Sequence, residues 1–285
     1  MEQLQIQMFQ ATKAFYTADY EESKIIFEQL LKAYKKRNDA RNIVRCLYRL
    51  SCLAYTRGQM PQFHELVKQF QNALTEKLST ILEHLIEQQM LYGLQAMAYL
   101  KYSKAIPHFS KVVALSQNAK YKKQKISALL FLQKCQIIVG NNEQAIKESD
   151  AIWADYKELI QEDTQQYLHY VLNRAHAFIQ LKNVEAFEET IQLCEQHPDF
   201  HLLMKEQIFT AILRSKHLAL TNNYIGAIKL LQVALSQSAE MHDMQMQYMM
   251  YSSLIDYFEQ IQNHKEALHY AKLLMNIQRY AAIVE

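Results

Sequence analysis

The chain contains very few of the residues that interrupt helices. Its 285 residues include four glycines and three prolines, and half of all residues are hydrophobic. Loops and tight turns depend on glycine and proline, so their scarcity excludes a loop-rich protein. No sustained alternation of apolar and polar residues interrupts the abundance of Leu, Ala, Gln, Glu and Lys, which excludes a protein built mainly of strands. The composition therefore predicts an all-α fold.

Neither sign of charge is in clear excess, and no long apolar run occurs. The 31 basic and 29 acidic residues give no electrostatic reason to expect nucleic acid or an anionic membrane as the main partner. Nowhere do roughly 18 apolar residues follow one another, as a membrane-spanning helix requires. The start, MEQLQIQMFQ, lacks the basic segment and apolar stretch of a signal peptide. We expect a cytoplasmic protein that binds neither nucleic acid directly nor a membrane.

The four cysteines do not form a metal-binding or redox motif. They contain no CxxC pair, and two of them, six residues apart on a predicted helix, do not share a face. Such cysteines are typical of buried thiols in a reducing compartment. The four are Cys46, Cys52, Cys135 and Cys194.

Motifs that carry catalysis are also absent. We find no phosphate loop, HExxH or GxSxG motif, and so few glycines leave no backbone cradle for phosphate. His169 and His176 lie seven residues apart and hence on one helical face, but a metal site needs a third ligand and closer spacing. The sequence therefore predicts no catalytic residue, no metal ion and no cofactor.

One basic cluster, AKYKKQK, contains Lys120, Lys122, Lys123 and Lys125. Neither interleaved aromatic residues nor a second basic run accompanies it, so a solvated loop and helix start is favoured over a nucleic-acid patch.

A short motif recurs along the whole chain. In VGNNEQAI, residues 139–146, Gly140 and the asparagines suit a left-handed turn that ends one helix and caps the next. Similar stretches place the residue that opens the second helix at a separation of 40, 42, 40, 42, 40 and 40. This regular spacing indicates stacked helical hairpins. The opening residues are Ser23, Phe63, Ala105, Ala145, Phe187, Ala227 and Ala267.

The residues at the turns between the predicted helices agree with this pattern. Five of the seven turns carry Asp19, Asn141, Asn183, Asn223 and Asn263, residue types that favour helix junctions. We predict a single repeat domain over residues 1–285, with approximate repeats at 1–37, 38–78, 79–118, 119–160, 161–200, 201–241 and 242–285. In addition, Thr80 followed three residues later by Glu83 predicts a capping box at the first helix of the third repeat.

These hairpins resemble the tetratricopeptide (TPR) family. In the third repeat Gly93 takes the eighth position of the family pattern, Ala105 the twentieth and Phe109 the twenty-fourth. Elsewhere Phe63 and Phe187 replace the small residue that opens the second helix. The resemblance implies a right-handed α-solenoid of about seven helical hairpins, with the first helix of each hairpin lining the concave face.

The long period resembles that of one group of TPR proteins. Repeats of 40 to 42 residues are similar to those of the intracellular peptide-pheromone receptors of Gram-positive bacteria, the Rap, PlcR and Rgg group. The resemblance implies a bacterial regulatory protein that holds a short peptide or a protein partner on its concave face, with Asn173 as the counterpart of the asparagines that hold the ligand backbone. Its ligand-binding residues would be Arg45, Tyr48, Arg49, Tyr55, Met90, Leu94, Met97, Lys134, His169, Asn173, His176, Lys216, Met249 and Asp256.

Two functions remain open at this point. The first is a non-catalytic peptide- or protein-binding regulatory module, such as an intracellular signalling-peptide receptor. The alternative is a scaffold or dimerising sensory region of a larger signalling protein, for example one attached to a diguanylate cyclase domain, with no small ligand; this alternative includes a homodimer. An enzyme such as a phosphatase is a third class. DNA binding ranks last, because neither a reading helix nor a basic face is present.

Overall fold

The computed structural model describes residues 2–239, 241 and 243–283. Within these residues all regular elements are helical, which confirms the predicted all-α fold. Short 3-10 segments lie at Ala119–Tyr121 and Phe200–Leu202. The α-helices are α1 Glu2–Tyr16, α2 Tyr20–Lys36, α3 Ala40–Thr56, α4 Met60–Ala73, α5 Glu76–Ser79, α6 Leu82–Ala98, α7 Tyr102–Leu115, α8 Lys122–Ile138, α9 Asn142–Gln161, α10 Thr164–Gln180, α11 Val184–Glu195, α12 Met204–Leu220, α13 Tyr224–Gln237, α14 Met244–Gln260 and α15 His264–Ile283.

The long helices form consecutive antiparallel hairpins that stack on one another. Helix α3 packs on α4, α6 on α7, α10 on α11 and α14 on α15, and α1 and α2, α8 and α9, and α12 and α13 pair in the same way. The first helices of neighbouring hairpins also touch, since α8 contacts α10, α10 contacts α12 and α12 contacts α14. This arrangement is an α-solenoid with the first helices on its inner wall.

The turn inside each hairpin contains one residue with a left-handed backbone. These residues are spaced by 40, 42, 40, 42, 40 and 40, the same intervals as the sequence motif. Only two of them are glycines, although the conformation favours glycine. They are Ala18, Gly58, Leu100, Gly140, Lys182, Asn222 and Gln262.

The polar residue that follows each left-handed residue caps the second helix in most hairpins. Asp19, Asn183, Asn223 and Asn263 each accept a hydrogen bond from the backbone N–H three residues further on. Asn141 occupies the same position without a side-chain capping bond. The spacing of Asn and Asp in the sequence therefore marks real helix starts.

The predicted capping box at Thr80 is wrong. Thr80 ends the short helix α5, where its hydroxyl donates to the Lys77 carbonyl, and Ile81 precedes α6. Glu83 cannot reach back to a cap because its carboxylate lies 3.0 Å from Nε of Arg45 on α3. An interhelix ion pair has replaced the local bond.

Close packing within a hairpin depends on glycine at one site. A Cβ atom added to Gly93 would lie 2.6 Å from a ring carbon of Phe109, so only glycine lets this fully buried ring pack against α6. The small and aromatic positions of the TPR-like pattern are thus in contact across the third hairpin.

The solenoid closes on itself through a buried polar cluster, here called the clasp, formed by Tyr55, Lys205, Asp243 and Gln245. Nζ of Lys205 lies 2.8 Å from Oδ2 of Asp243, donates to the Tyr55 carbonyl at 3.3 Å, and lies 4.3 Å from the centre of the Tyr55 ring. The side-chain amide of Gln245 donates to the Tyr55 hydroxyl at 3.2 Å. Because these bonds join residues 150 and 190 positions apart, the inner wall is not an open groove along its whole length.

Candidate functional site

The inner wall contains three separate cavities, and 12 of the 14 residues predicted to bind a ligand line them. Tyr48, Arg49, Tyr55, Met90, Leu94 and His169 line the N-terminal cavity. Lys134, His169 and Asn173 line the middle cavity. His176, Lys216, Met249 and Asp256 line the third, which we call the C-terminal pocket.

Two predicted residues, Arg45 and Met97, line none of these cavities. Arg45 turns toward the start of α6, where Glu83 holds its guanidinium in an ion pair. Met97 is completely buried in the hydrophobic core. Both lie on first helices, which the resemblance assigns to the concave face. In the structure Arg45 is engaged by an ion pair with the next hairpin, and Met97 is packed in the core.

The N-terminal cavity, between α1, α3, α6, α8 and α10, measures about 50 Å³. Such a volume holds a few water molecules and not a peptide. The tyrosines Tyr48 and Tyr55, together with Met90 and Leu94, are nearly fully buried in its walls.

The middle cavity is smaller still, at about 20 Å³, and its polar side chains contact other groups of the protein. Asn173 is buried, and its amide donates to the Leu130 carbonyl at 2.8 Å and to Oε1 of Gln133 at 3.1 Å. The amide of Asn173 therefore connects α10 to α8, a role the sequence did not predict. Lys134 lies over the Phe209 ring, and burial lowers the pKa of Lys134 to about 8.

Among the three inner cavities that the described residues form, the C-terminal pocket is the one of ligand size, at about 390 Å³. It lies where the C-terminal halves of α10 and α12 meet α14, and the start of α7 contributes Tyr102. Its walls mix apolar, hydroxyl and charged side chains. Besides the four predicted residues, they include Ile138, Ile179, Gln180, Lys182, Ala219, Leu220, Tyr248, Ser252, Ser253 and Tyr257.

Opposite charges face each other in this pocket without forming an ion pair. Burial lowers the pKa of Lys216, while Asp256 acts in the other direction. Partial burial and Glu259 raise the pKa of Asp256, against the effect of Lys216. The two groups influence each other, yet no N–O distance between them is within the 4.0 Å of an ion pair. A ligand that brings groups of both signs would stabilise both charges.

His176 adds an uncharged polar group to the same wall. Its side chain is buried, and Nε2 lies 3.2 Å from the side-chain nitrogen of Gln180. Burial, reinforced by Lys216 and Lys134, holds the pKa of His176 well below its usual value, so the ring is neutral at pH 7. Nδ1 of His176 is buried and has no hydrogen-bond partner in the part of the chain that the structure describes.

Sequence reasoning missed Tyr102 and Tyr248 among the lining residues. Tyr102 opens α7, a second helix, and reaches the pocket because the solenoid closes across its axis. A rule that assigns the inner wall to first helices cannot find such a residue. Tyr248 immediately precedes the predicted Met249. Its position next to a predicted residue is the one feature of the sequence that points to it.

A wider groove of about 700 Å³ lies outside the inner wall, between α4 and α15. It is lined by second-helix residues such as Met60, His64 and Ile277, and the His64 ring is stacked on Tyr99. We favour the C-terminal pocket as the candidate site because unpaired charges and the unpartnered atom of His176 converge there.

Other classes of site find little support in the described residues. All four cysteines are free thiols; three are buried, and Cys52 lines the N-terminal cavity. Across residues 2–239, 241 and 243–283 no three His, Cys, Asp or Glu side chains are grouped as metal ligands would be. None of the helices in that part of the chain has the length and apolar character needed to cross a membrane.

Comparisons with known proteins give likenesses in structure. No family model matches the chain, and neither does any curated protein. A solved structure described as a Rap protein complexed with competence and sporulation factor is similar over 99% of each chain, with 13% sequence identity and a TM-score of 0.49. At this distance, what the chain binds has to be argued from its own residues.

Proposed function

We propose that this protein is a non-catalytic, peptide-binding regulatory module whose ligand occupies the C-terminal pocket. The observation that carries the proposal is the pair Lys216 and Asp256, which line one pocket of about 390 Å³ and form no ion pair among the residues that the structure describes. A peptide supplies carboxylate, ammonium and amide groups for these charges and for His176. Its side chains can pack against Ile179, Leu220 and Met249.

The resemblance to peptide-pheromone receptors supports the same kind of ligand. A short peptide on the concave face is what that resemblance implies, and the solved Rap protein is described as a complex with competence and sporulation factor. Helical solenoids change pitch readily because neighbours touch mainly neighbours, so an inner ligand can alter a distant surface. The regulatory part of the proposal depends on that property.

The test is selection of peptides followed by calorimetry. A library of peptides of about three to five residues, each adding roughly 3.3–3.6 Å when extended, is incubated with the protein, and retained members are identified by mass spectrometry. The tightest peptide is then titrated by isothermal calorimetry into the wild type, Lys216→Met and Asp256→Asn. We expect each substitution to weaken binding by about 1–3 kcal/mol, because a desolvated charge on the ligand loses its partner.

Matched controls come from second helices outside the pocket. Lys229→Met on α13 and Asp155→Asn on α9 change the same residue types at exposed positions, and we expect unchanged affinity. Equal losses in the controls and in the pocket variants would contradict the site.

The scaffold alternative predicts a different result. A dimerising region without a small ligand would retain no peptide above background, and light scattering would give a dimer mass. Those two results together would contradict the peptide-binding proposal and support the scaffold alternative.

A further inference from the structure

Lys123, from the basic cluster AKYKKQK, turns into the molecule. The neighbouring lysines lie at the surface, as the sequence predicts. Lys122 is exposed, and Nζ of Lys120 lies 3.4 Å from a carboxylate oxygen of Glu83. Lys123 instead lines the N-terminal cavity, with Nζ 4.1 Å from the centre of the Tyr16 ring. A cationic side chain has therefore been directed toward an inner cavity that the proposed function does not use.

A second cation approaches the same ring. The guanidinium carbon of Arg49 lies 5.8 Å from the Tyr16 centroid and 5.4 Å from that of Tyr48, and one guanidinium nitrogen donates to the Tyr16 hydroxyl at 3.3 Å. Neither Arg49 nor Lys123 has a carboxylate within ion-pair distance among the residues that the structure describes. Two half-buried cations thus line one cavity within electrostatic reach of Asp163 but with no carboxylate at ion-pair distance, an arrangement suited to a bound carboxylate.

Two unpartnered acceptors line the same cavity. Asp163 is 1% exposed; its Oδ1 accepts the backbone N–H of Gln166, while Oδ2 is buried and lacks a hydrogen-bond partner in the described structure. The side-chain nitrogen of Gln166 donates to Ser127 and to the Lys123 carbonyl, which leaves Oε1 of Gln166 equally unpartnered. Buried acceptors without donors are costly, so these two oxygens indicate a missing donor such as an ammonium group.

The size of the cavity limits the ligand. A volume of about 50 Å³ corresponds to roughly four water-sized probes at 10–15 Å³ each. Glycine has five heavy atoms and alanine six, whereas a branched amino acid exceeds the space between Leu94, Phe131 and the tyrosines.

We propose that the N-terminal cavity is a binding site for a small free α-amino acid, glycine or alanine. Its carboxylate contacts Arg49 and Lys123, and its ammonium group donates to Oδ2 of Asp163 and Oε1 of Gln166. The site is distinct from the C-terminal pocket and goes beyond the proposed function.

The first test uses the unmodified protein and differs only in the ligand. Glycine, alanine, leucine, acetate and methylamine are titrated by isothermal calorimetry at pH 8, where Asp163 is ionised, since burial raises its pKa to about 6. We expect glycine and alanine to bind at least ten-fold more tightly than acetate, methylamine and leucine. Absence of glycine and alanine binding, or acetate binding as tightly as glycine, would overturn the proposal.

The second test asks whether Arg49 binds the carboxylate of the ligand and Asp163 its ammonium group. Arg49→Gln should abolish binding of glycine, and Asp163→Asn, which keeps an oxygen to cap α10, should weaken it at least ten-fold. Lys122→Met, one position from Lys123 but exposed, is the matched control and should bind as the wild type does. Circular dichroism of each variant verifies folding, and glycine binding unchanged in both Arg49→Gln and Asp163→Asn would refute the site. Peptide binding at the C-terminal pocket is measured separately, so either proposal can fail alone.

Discussion

The side chain of Asn173 joins two inner helices. Its amide donates to the Leu130 carbonyl and to Gln133, and the residue is 3% exposed. Replacing it by alanine leaves the buried Oε1 of Gln133 without this donor and removes the second bond to the Leu130 carbonyl. We expect Asn173→Ala to lower the free energy of unfolding by about 1–3 kcal/mol, measured by urea denaturation. A midpoint equal to that of the wild type would contradict this role.

Asp163 gives a pH dependence whose sign follows from its burial. Burial raises the pKa of Asp163 from 3.8 to about 6, so between these values the folded state holds a proton that the unfolded state has lost. This contribution to stability is present below pH 4 and disappears as the pH rises through 6.

We therefore expect the wild type to lose about 2 kcal/mol of stability between pH 4 and pH 7 relative to Asp163→Asn, since each pKa unit corresponds to about 1.36 kcal/mol and the unfolded carboxyl is already more than half ionised at pH 4. The measurement is chemical denaturation of both proteins across that range. A constant difference between the two curves would show that Asp163 does not titrate in this window.

At the scale of single elements, the turns are the most regular feature of the molecule. Gly140 has a φ of 97°, and an added Cβ atom would meet nothing within 4 Å. Gly140→Ala therefore tests the backbone conformation alone, and we expect a loss of about 1 kcal/mol. Gln262 has a φ of 60° and is exposed, so Gln262→Gly should gain up to about 1 kcal/mol. Thermal denaturation of both variants is the measurement, and shifts of the same sign would contradict it.

Gly58 provides a comparison in which the same substitution meets another part of the protein. Its φ is 70°, and an added Cβ atom would lie 3.3 Å from Cβ of Met241, with the methyl group of that methionine closer still. Gly58→Ala should therefore cost more than Gly140→Ala, because it also disturbs the contact between the second hairpin and the junction before the last one. Equal shifts in melting temperature would show that this contact contributes nothing.

At the scale of the whole molecule, the clasp determines how closed the solenoid is. Asp243 accepts the backbone N–H groups of Gln245 and Met246 and also pairs with Lys205. Asp243→Asn keeps the helix cap but leaves a buried ammonium group without its carboxylate, a change that costs about 3–5 kcal/mol. We expect this loss in denaturation experiments, together with a larger radius of gyration in small-angle X-ray scattering.

The double variant Lys205→Met with Asp243→Asn separates the ion pair from the cap. Removal of both charges should recover most of the lost stability, because no uncompensated charge remains buried. If the single and double variants are equally unstable, the loss belongs to packing and not to the ion pair.

Much of the fold could be predicted because its signals are local. The left-handed residues and the Asn or Asp after them repeat at intervals of 40 or 42, and each hairpin forms largely from contacts within itself and with its neighbours. Thr80 and Glu83 show where such prediction fails. Their spacing predicts a capping box at the start of α6, but Glu83 forms an ion pair with Arg45 instead. Arg45 lies on the neighbouring hairpin, so the sequence pattern around Thr80 does not contain it.

The sequence by itself determined the helical hairpins, their turns and the inward direction of residues such as Arg49, Asn173 and Lys216. These features follow from periodicity and from one fixed repeat length. Only the tertiary structure decided that the inner wall is divided into cavities of about 50, 20 and 390 Å³. Small rotations between repeats add up over the chain until Tyr55 meets Lys205 and Gln245, 150 and 190 residues away. No local sequence pattern contains the accumulated rotation of the repeats. That rotation brings Tyr55 to Lys205 and Gln245 and so separates the C-terminal pocket from the rest of the inner wall.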